Sequence, residues 1–330
     1  MATSLNDINF QSEVFADALE MEFTHRVGLL SSGLLVPASD ALIPANQGGQ
    51  FASVAQVKSI AGPSVQITSG GETVFKEVGD FKDIAVWIER EDAWDAETIL
   101  NLIAKRDPTR SVVNALATYW AREIHTSAVK VLTGAFTTAL LSSHSTGNTY
   151  TAGIISPESL LAGKQLLGDN KDFLSTIVMN SKVHTDAVSQ NLQVTTQRSD
   201  QAFATGLIPM ILGMVPTISD LLEAVSSVYS TYLAMRGAMI YKTRPRPMNQ
   251  FNNANIVRAG NIEIELYRNA IVSGGIDGII TRMSYLVHLP GVKWGVSTVN
   301  PTNTQLATGS NWTKVADDDK LIRIAEVKTL

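Results

Sequence analysis

Metal or acid–base chemistry would have to be built from five histidines, His25, His125, His144, His184 and His288. They fall one per region, and none has the i,i+4 partner or the short loop spacing with which a metal site is assembled. The nearest thing to a ligand pair is His184 with Asp186, which reads as a solvated helix surface. Acidic groups cluster twice, as Glu89, Glu91 and Asp92 and as Asp317 to Asp319 beside Lys320. Consecutive acids without a coordinating loop belong to a solvated face. The stretches "SGGETVF" and "SGGIDGI" pair glycines but lack the Lys-Ser/Thr of a phosphate-binding loop, so they read as turns. No G-x-S-x-G elbow is present, and a serine without a placed base is inert. The chain has no cysteine, which excludes thiolate nucleophiles, disulfides and cysteine-ligated metals. The sequence therefore predicts no catalytic residue, no cofactor and no metal, and the protein reads as a non-enzyme.

Binding to nucleic acid by charge is equally unsupported. Net charge is −5, and the basic residues are scattered rather than drawn into a stripe that could track phosphates. The cluster Lys242, Arg244 and Arg246, interrupted by Pro245 and Pro247, reads as an exposed rim or a contact between subunits. Charged residues make up only 17% of the chain, which fits either a surface covered by partners or a surface rich in Ser, Thr and Asn. The sequon at Asn311 matters only in an exported protein, and the N-terminus lacks the basic start and apolar run of a signal peptide. The longest apolar run, "GLIPMILGMVP", is too short to cross a bilayer, which needs about 18 residues or more.

The elements that would hold such residues point to architecture instead. Phe10, Val14, Ala18 and Met21 share a helical spacing, after which periodicity is lost and the chain reads as an extended arm. Residues 59–81, "SIAGPSVQITSGGETVFKEVGDF", have the alternation and turn signals of a β-hairpin. A strand follows around Ile84, Val86 and Ile88, then a short helix in "DAWDAETILNLIAK". Asp107-Pro108 marks the start of a long helix whose apolar stripe runs through Val112, Leu116, Trp120, Ile124, Ala128, Val131 and Ala135. About 28 residues make a rod of roughly 40 Å, the spine on which a sheet packs. A second helix is delimited by Ser156, Pro157 and Gly168, then come the strand "STIVM" and a helix from Ser181. The last third is strand-rich, with "NIEIELYRNA", "GIITRMSYLVHL" and "KLIRIAEVKT" expected to return beside the strand from Ile84 to Arg90. Helices and strands alternate without a βαβ order, so the fold class is α+β.

In this order the parts resemble the major capsid protein of tailed bacteriophages, whose Hong Kong 97-type shell fold is also that of encapsulins. "FKDIAVWIEREDAW" followed by "RDPTRSVVNALATYWAREI" is similar to the family's strand into its spine helix. "SLLAGKQLLGDNKDFLSTIVMNSKVHTD" is similar to the start of its axial domain, and "STYLAMRGAMIY" and "GIITRMSYLVHLPGVKWGV" to later strands. The ending "PTNTQLATGSNWTKVADDDKLIRIAEVKT" resembles the closing segment of one branch of these coat proteins.

The resemblance implies an N-terminal arm (1–48), an extended β-hairpin loop (49–83) and a first part of the peripheral domain with the spine helix (84–140). It further implies an axial domain (141–258) and a second peripheral part (259–330). It implies a structural subunit that forms pentamers and hexamers of an icosahedral head around double-stranded DNA, with an encapsulin-like compartment shell as the alternative. The subunit contacts would be made by Val65, Ile67, Glu72, Val74, Phe75 and Lys76 on the loop, and the core by Val112, Leu116, Trp120 and Ile124. Lys76 lies near Glu72 and Glu77 where some members form a crosslink, but no motif fixes its partner, and no crosslink is read. The partners implied are the chain itself, a separate scaffolding protein, a portal, a decoration protein as a further candidate, and packaged DNA contacted weakly and without sequence specificity. No membrane is among them. Assembly would take place in the host cytoplasm and the product would be the virion.

Overall fold

The computed structural model describes residues 32–44, 49–56, 58, 64, 79–95, 108–190, 192–196, 208–244, 256–259, 262–267 and 278–330. A long sheet and a long helix form its centre. The sheet runs in the order β1 (Leu35–Pro37), β10 (Met239–Arg244), β13 (Gly278–His288), β12 (Ile262–Tyr267), β11 (Ile256–Ala259), and β4 (Ile88–Asp95) also pairs with β13. Strand β13 is eleven residues long because "GIITRMSYLVH" is β-branched and apolar along most of its length, and it is buried on both faces.

Helix α1 (Pro108–Thr137) has 30 residues, about 45 Å. It begins at the proline, whose fixed φ suits a first helical position. Leu116, Trp120, Ile124, Ala128, Val131 and Ala135 are buried along it; the side chain of Val112 lies outside the described residues. The helix is seated on β13 by two polar contacts as well as by packing. The Trp120 indole N–H donates to Thr281 Oγ1 at 3.1 Å, and Ser127 Oγ and Tyr285 OH are 2.8 Å apart.

A second sheet has the order β16 (Ile324–Thr329), β9 (Tyr229–Ala234), β5 (Thr176–Met179), β8 (Val215–Ile218). Two helices belong to this part, α2 (Pro157–Gln165) and α3 (Ser181–Ser189). Ser156 and Ser159 form a reciprocal cap at the start of α2, which satisfies its first free N–H groups. Asn180 caps α3 through the Lys182 N–H. Helix α2 ends at Gln165, and the turn that follows it is completed by Gly168 at φ +58°. A second apolar core gathers Leu160, Ile177, Met179, Val183, Leu233, Ala325 and Val327 here. Smaller ribbons complete the fold: β2 (Phe51–Val54) with β3 (Asp83–Val86), β6 (Gln193–Thr196) with β7 (Ile208–Ile211), and β14 (Val292–Trp294) with β15 (Trp312–Lys314). The short helix α4 (Asn303–Ala307) packs on the end of α1.

Three expectations change. The closing strand β16 pairs antiparallel with β9, not with the strand from Ile84 to Arg90; β13 takes that place. Ala325 and Val327 belong to the second core, so β16 completes the smaller sheet although it comes last in sequence. Conversely β10, inside the range 141–258, is a strand of the larger sheet. Residues 92–95, read as the start of a short helix, are strand, because β4 remains in register with β13 from Ile88 to Asp95.

Candidate assembly surface at the root of the extended loop

The residues of interest are those that carry the chain out to 59–78 and back. β2 and β3 pair antiparallel, Phe51 opposite Val86 through Val54 opposite Asp83. Beyond them the Lys58 N–H donates to the Gly79 carbonyl at 3.0 Å, so the two chain ends of the intervening segment are held side by side. Val65, Ile67, Glu72, Val74, Phe75 and Lys76 lie outside the described residues. The body end of the ribbon packs through Ala52, Val54, Ala85 and Trp87 on Ile43, Ile240 and Leu286, a small core of its own. Beside it opens a groove of about 290 Å³ lined by Phe51, Ile84, Lys293, Trp294 and Val296 among others.

The chemistry-bearing side chains singled out in the sequence are mostly used internally. His125 lies 2.9 Å from Ser219 Oγ, and His144 bridges Ser143 Oγ at 2.7 Å and the Asp319 carbonyl at 2.9 Å. Burial pushes both imidazoles below the ordinary histidine range. His184 is half-buried on α3, where Asp186 pairs with Lys182 at 3.3 Å. Among the described residues no group of three His, Asp or Glu is arranged to hold a metal ion, and no described helix is long and apolar enough to cross a membrane. Of the acidic run on β4, Glu89 pairs with Arg244 at 3.3 Å, Glu91 pairs with Arg282, and Asp92 accepts a hydrogen bond from the Tyr119 hydroxyl. In the other run Asp319 pairs with Lys314, and Asp318 caps the Lys320 N–H at 3.0 Å.

The basic cluster read as an exposed rim is a correction. Lys242 reaches Asp40 at 2.6 Å and the Ile43 carbonyl, and Arg244 is buried; Arg246 is outside the described residues. β10 runs inside the larger sheet, so its cations find partners within the subunit. What the sequence reading missed entirely is a pair of buried polar contacts at the ribbon. His288 Nε2 is 2.9 Å from Asp83 Oδ1, and Arg244 lies over the Trp87 ring at 4.2 Å. Asp83 and His288 are 205 positions apart, and no local pattern links them.

Apolar side chains remain on the surface away from the ribbon. Phe173 and Val225 are each 70% exposed. Val225 precedes a two-residue turn in which Ser226 and Ser227 have φ of +52° and +65°.

The profile of the Gp13-like family, described as major capsid protein 13-like, matches residues 41–322. A curated relative, the major capsid protein of Bacillus phage SPP1, is 28% identical over 295 residues, covering 88% of this chain and 86% of its own. Among solved structures, the capsid of Ralstonia phage GP4 superposes with a TM-score of 0.51 at 10% identity, over 79% of this chain and 86% of that one. The capsid of cyanophage P-SCSP1u gives a TM-score of 0.51 at 9% identity, over 90% and 86%.

Proposed function

The chain belongs to the Gp13-like major capsid protein family, and from that premise we propose that copies of it join head-to-tail into pentamers and hexamers of an icosahedral head around double-stranded DNA. The protein is a structural subunit of a phage capsid shell, with the α+β Hong Kong 97-type fold, and it associates with itself. The encapsulin-like alternative is not favoured, since the family and the curated relative are phage coat proteins. The family is one of structural proteins, and the reading assigns no catalytic step, cofactor or membrane contact.

The observation that carries the assembly reading is the β2–β3 ribbon. It brings residue 58 beside residue 79, so that the segment of 20 residues between them starts and ends at one place. An excursion launched in this way can lie over an adjacent copy, with Val65, Ile67, Val74 and Phe75 as its apolar contacts and Glu72 and Lys76 as its polar ones. Covering each apolar side chain fully would contribute about 1.5–3 kcal/mol. Weak contacts suffice because each subunit is held by several neighbours at once. In this reading residues 1–48 are the arm, 49–83 the extended loop, and 84–140 with 259–330 the peripheral domain. Residues 141–258 form the axial domain around which five or six copies meet, with β10 and β16 exchanged between the two sheets. A separate scaffolding protein, a portal and a decoration protein are the further partners, DNA is touched weakly without sequence preference, and assembly takes place in the host cytoplasm.

Sedimentation and electron microscopy of the purified protein, alone and co-expressed with candidate scaffolding proteins, test the reading. Rings or closed shells are expected. A monomer that persists at high concentration under both conditions overturns it.

A further inference from the structure

We propose that the direction in which the β2–β3 ribbon carries the chain toward residues 59–78 is set before assembly by two buried polar anchors, one at each end of its ladder. The proposal rests on the reading of residues 59–78 as an intersubunit element, but the anchors themselves belong to the isolated subunit.

The first anchor is Asp83, the opening residue of β3, which is 0% exposed. Its Oδ1 meets His288 Nε2 at 2.9 Å, and its Oδ2 accepts the Gly291 N–H at 2.9 Å. Those two partners flank the turn from β13 into β14, so one carboxylate ties the returning strand of the ribbon to the end of the eleven-residue strand β13. The second anchor is Arg244, the last residue of β10. It donates from Nη1 to the Gly49 carbonyl at 2.7 Å, from Nε to Ser284 Oγ at 3.2 Å and from Nη2 to Glu89 Oε1 at 3.3 Å. Its guanidinium also stacks on Trp87. Gly49 leads directly into β2 through Gln50, whose carbonyl accepts the Trp87 N–H at 2.9 Å. The outgoing strand is thereby held at its root.

A two-stranded ribbon has little stability of its own, and whatever fixes its angle must come from the body. Apolar packing at Ala52, Val54 and Ala85 supplies adhesion, which is non-directional. Buried ionic groups add little net stability, since apolar residues of equal volume often serve as well. What a carboxylate with both oxygens engaged and a planar fork with three acceptors add is a single geometry. They sit at opposite ends of the four-pair β2–β3 ladder, Asp83 in its Val54 pair and Arg244 at the Gly49 carbonyl beside the Phe51–Val86 pair, with the Lys58–Gly79 bond beyond.

The chain has no cysteine, so labels can be placed at will. Spin labels at Lys58→Cys on the ribbon and Ser310→Cys on the exposed surface of the body report their separation in unassembled subunits. The expected result is one narrow distance in the parent and its loss, to a broad distribution, in Arg244→Lys and in Asp83→Asn. Arg244→Lys keeps the charge without the fork, and Asp83→Asn keeps the shape without the charge. Gly163→Ala, in the second core, should lower the melting temperature and leave the distance narrow. Circular dichroism identifies the folded variants; if neither anchor variant folds, Ser284→Ala, which removes one acceptor of Arg244, is read in the same way. A broad distribution in the parent, or a narrow one in the folded anchor variants, overturns the proposal. Anchor variants that show the broad distribution yet build parent-like shells would leave the anchors standing and refute instead the assembly role of the ribbon.

Discussion

Gly134, near the end of α1, faces the backbone of Leu306 so closely that a Cβ at this position would stand 2.1 Å from the Leu306 carbonyl oxygen. The same Cβ would meet the Trp312 indole nitrogen at 2.5 Å. That indole donates to the same Leu306 carbonyl at 2.8 Å, so neither neighbour is free to move aside. The glycine lets the segment containing α4 and β15 lie directly on the spine helix.

Gly134→Ala should therefore destabilise the subunit, although alanine in a helix interior ordinarily gains about 1 kcal/mol over glycine. Overpacking of a well-filled core costs about 1–3 kcal/mol. Chemical denaturation of unassembled subunits measures it, and a more stable variant would show that the C-terminal segment does not rest on α1 in this way.

Trp120 offers two separable losses. Trp120→Ala removes a fully buried indole and should cost about 3–5 kcal/mol. Trp120→Phe preserves much of the volume and deletes the hydrogen bond to Thr281, a loss of about 1 kcal/mol from the bond itself. Equal costs for the two substitutions would mean that packing of this face contributes nothing.

His125 and His144 give stability a pH dependence with a definite sign. Burial lowers both pKa values, so below the ordinary histidine value of about 6.5 the unfolded chain takes up protons that the folded chain refuses. Their contribution is fully present above that value and is lost as pH falls from it toward the lowered native values. Melting temperature followed between about pH 7.5 and 5.5 should fall with acidification. His144→Gln should flatten that slope, and an unchanged slope in both single Gln variants would assign it to other groups.

Replacing residues 60–77 by a short Gly/Ser turn separates folding from assembly. Lys58, Gly79, the β2–β3 ribbon and the three apolar cores remain, and halving or doubling a loop alters closure entropy by only about 0.6 kcal/mol. Circular dichroism and a cooperative melt close to the parent's are expected, with soluble subunits that build no shells. Normal shells would show that the excursion is not an assembly element.

Helix starts and strand interiors were legible in the sequence because the forces that make them are local. Pro108 opens α1, Ser156 and Pro157 open α2, and the β-branched runs of β5 and β13 are strands wherever they are placed. The cysteine-free composition likewise needs no coordinates to be read. Pairing is different, since any apolar strand can satisfy its ladder with several partners. β16 joins β9 where Val327 and Leu233 fit against Gly163, whose missing Cβ leaves room for Val327. β10 and Arg244 looked exposed in a proline-flanked basic run, yet the larger sheet carries them inward to Glu89 and Trp87. Asp83 and His288 lie in segments with no mutual signal, and only the packing of β3 against the end of β13 brings a carboxylate and an imidazole within hydrogen-bond reach out of water.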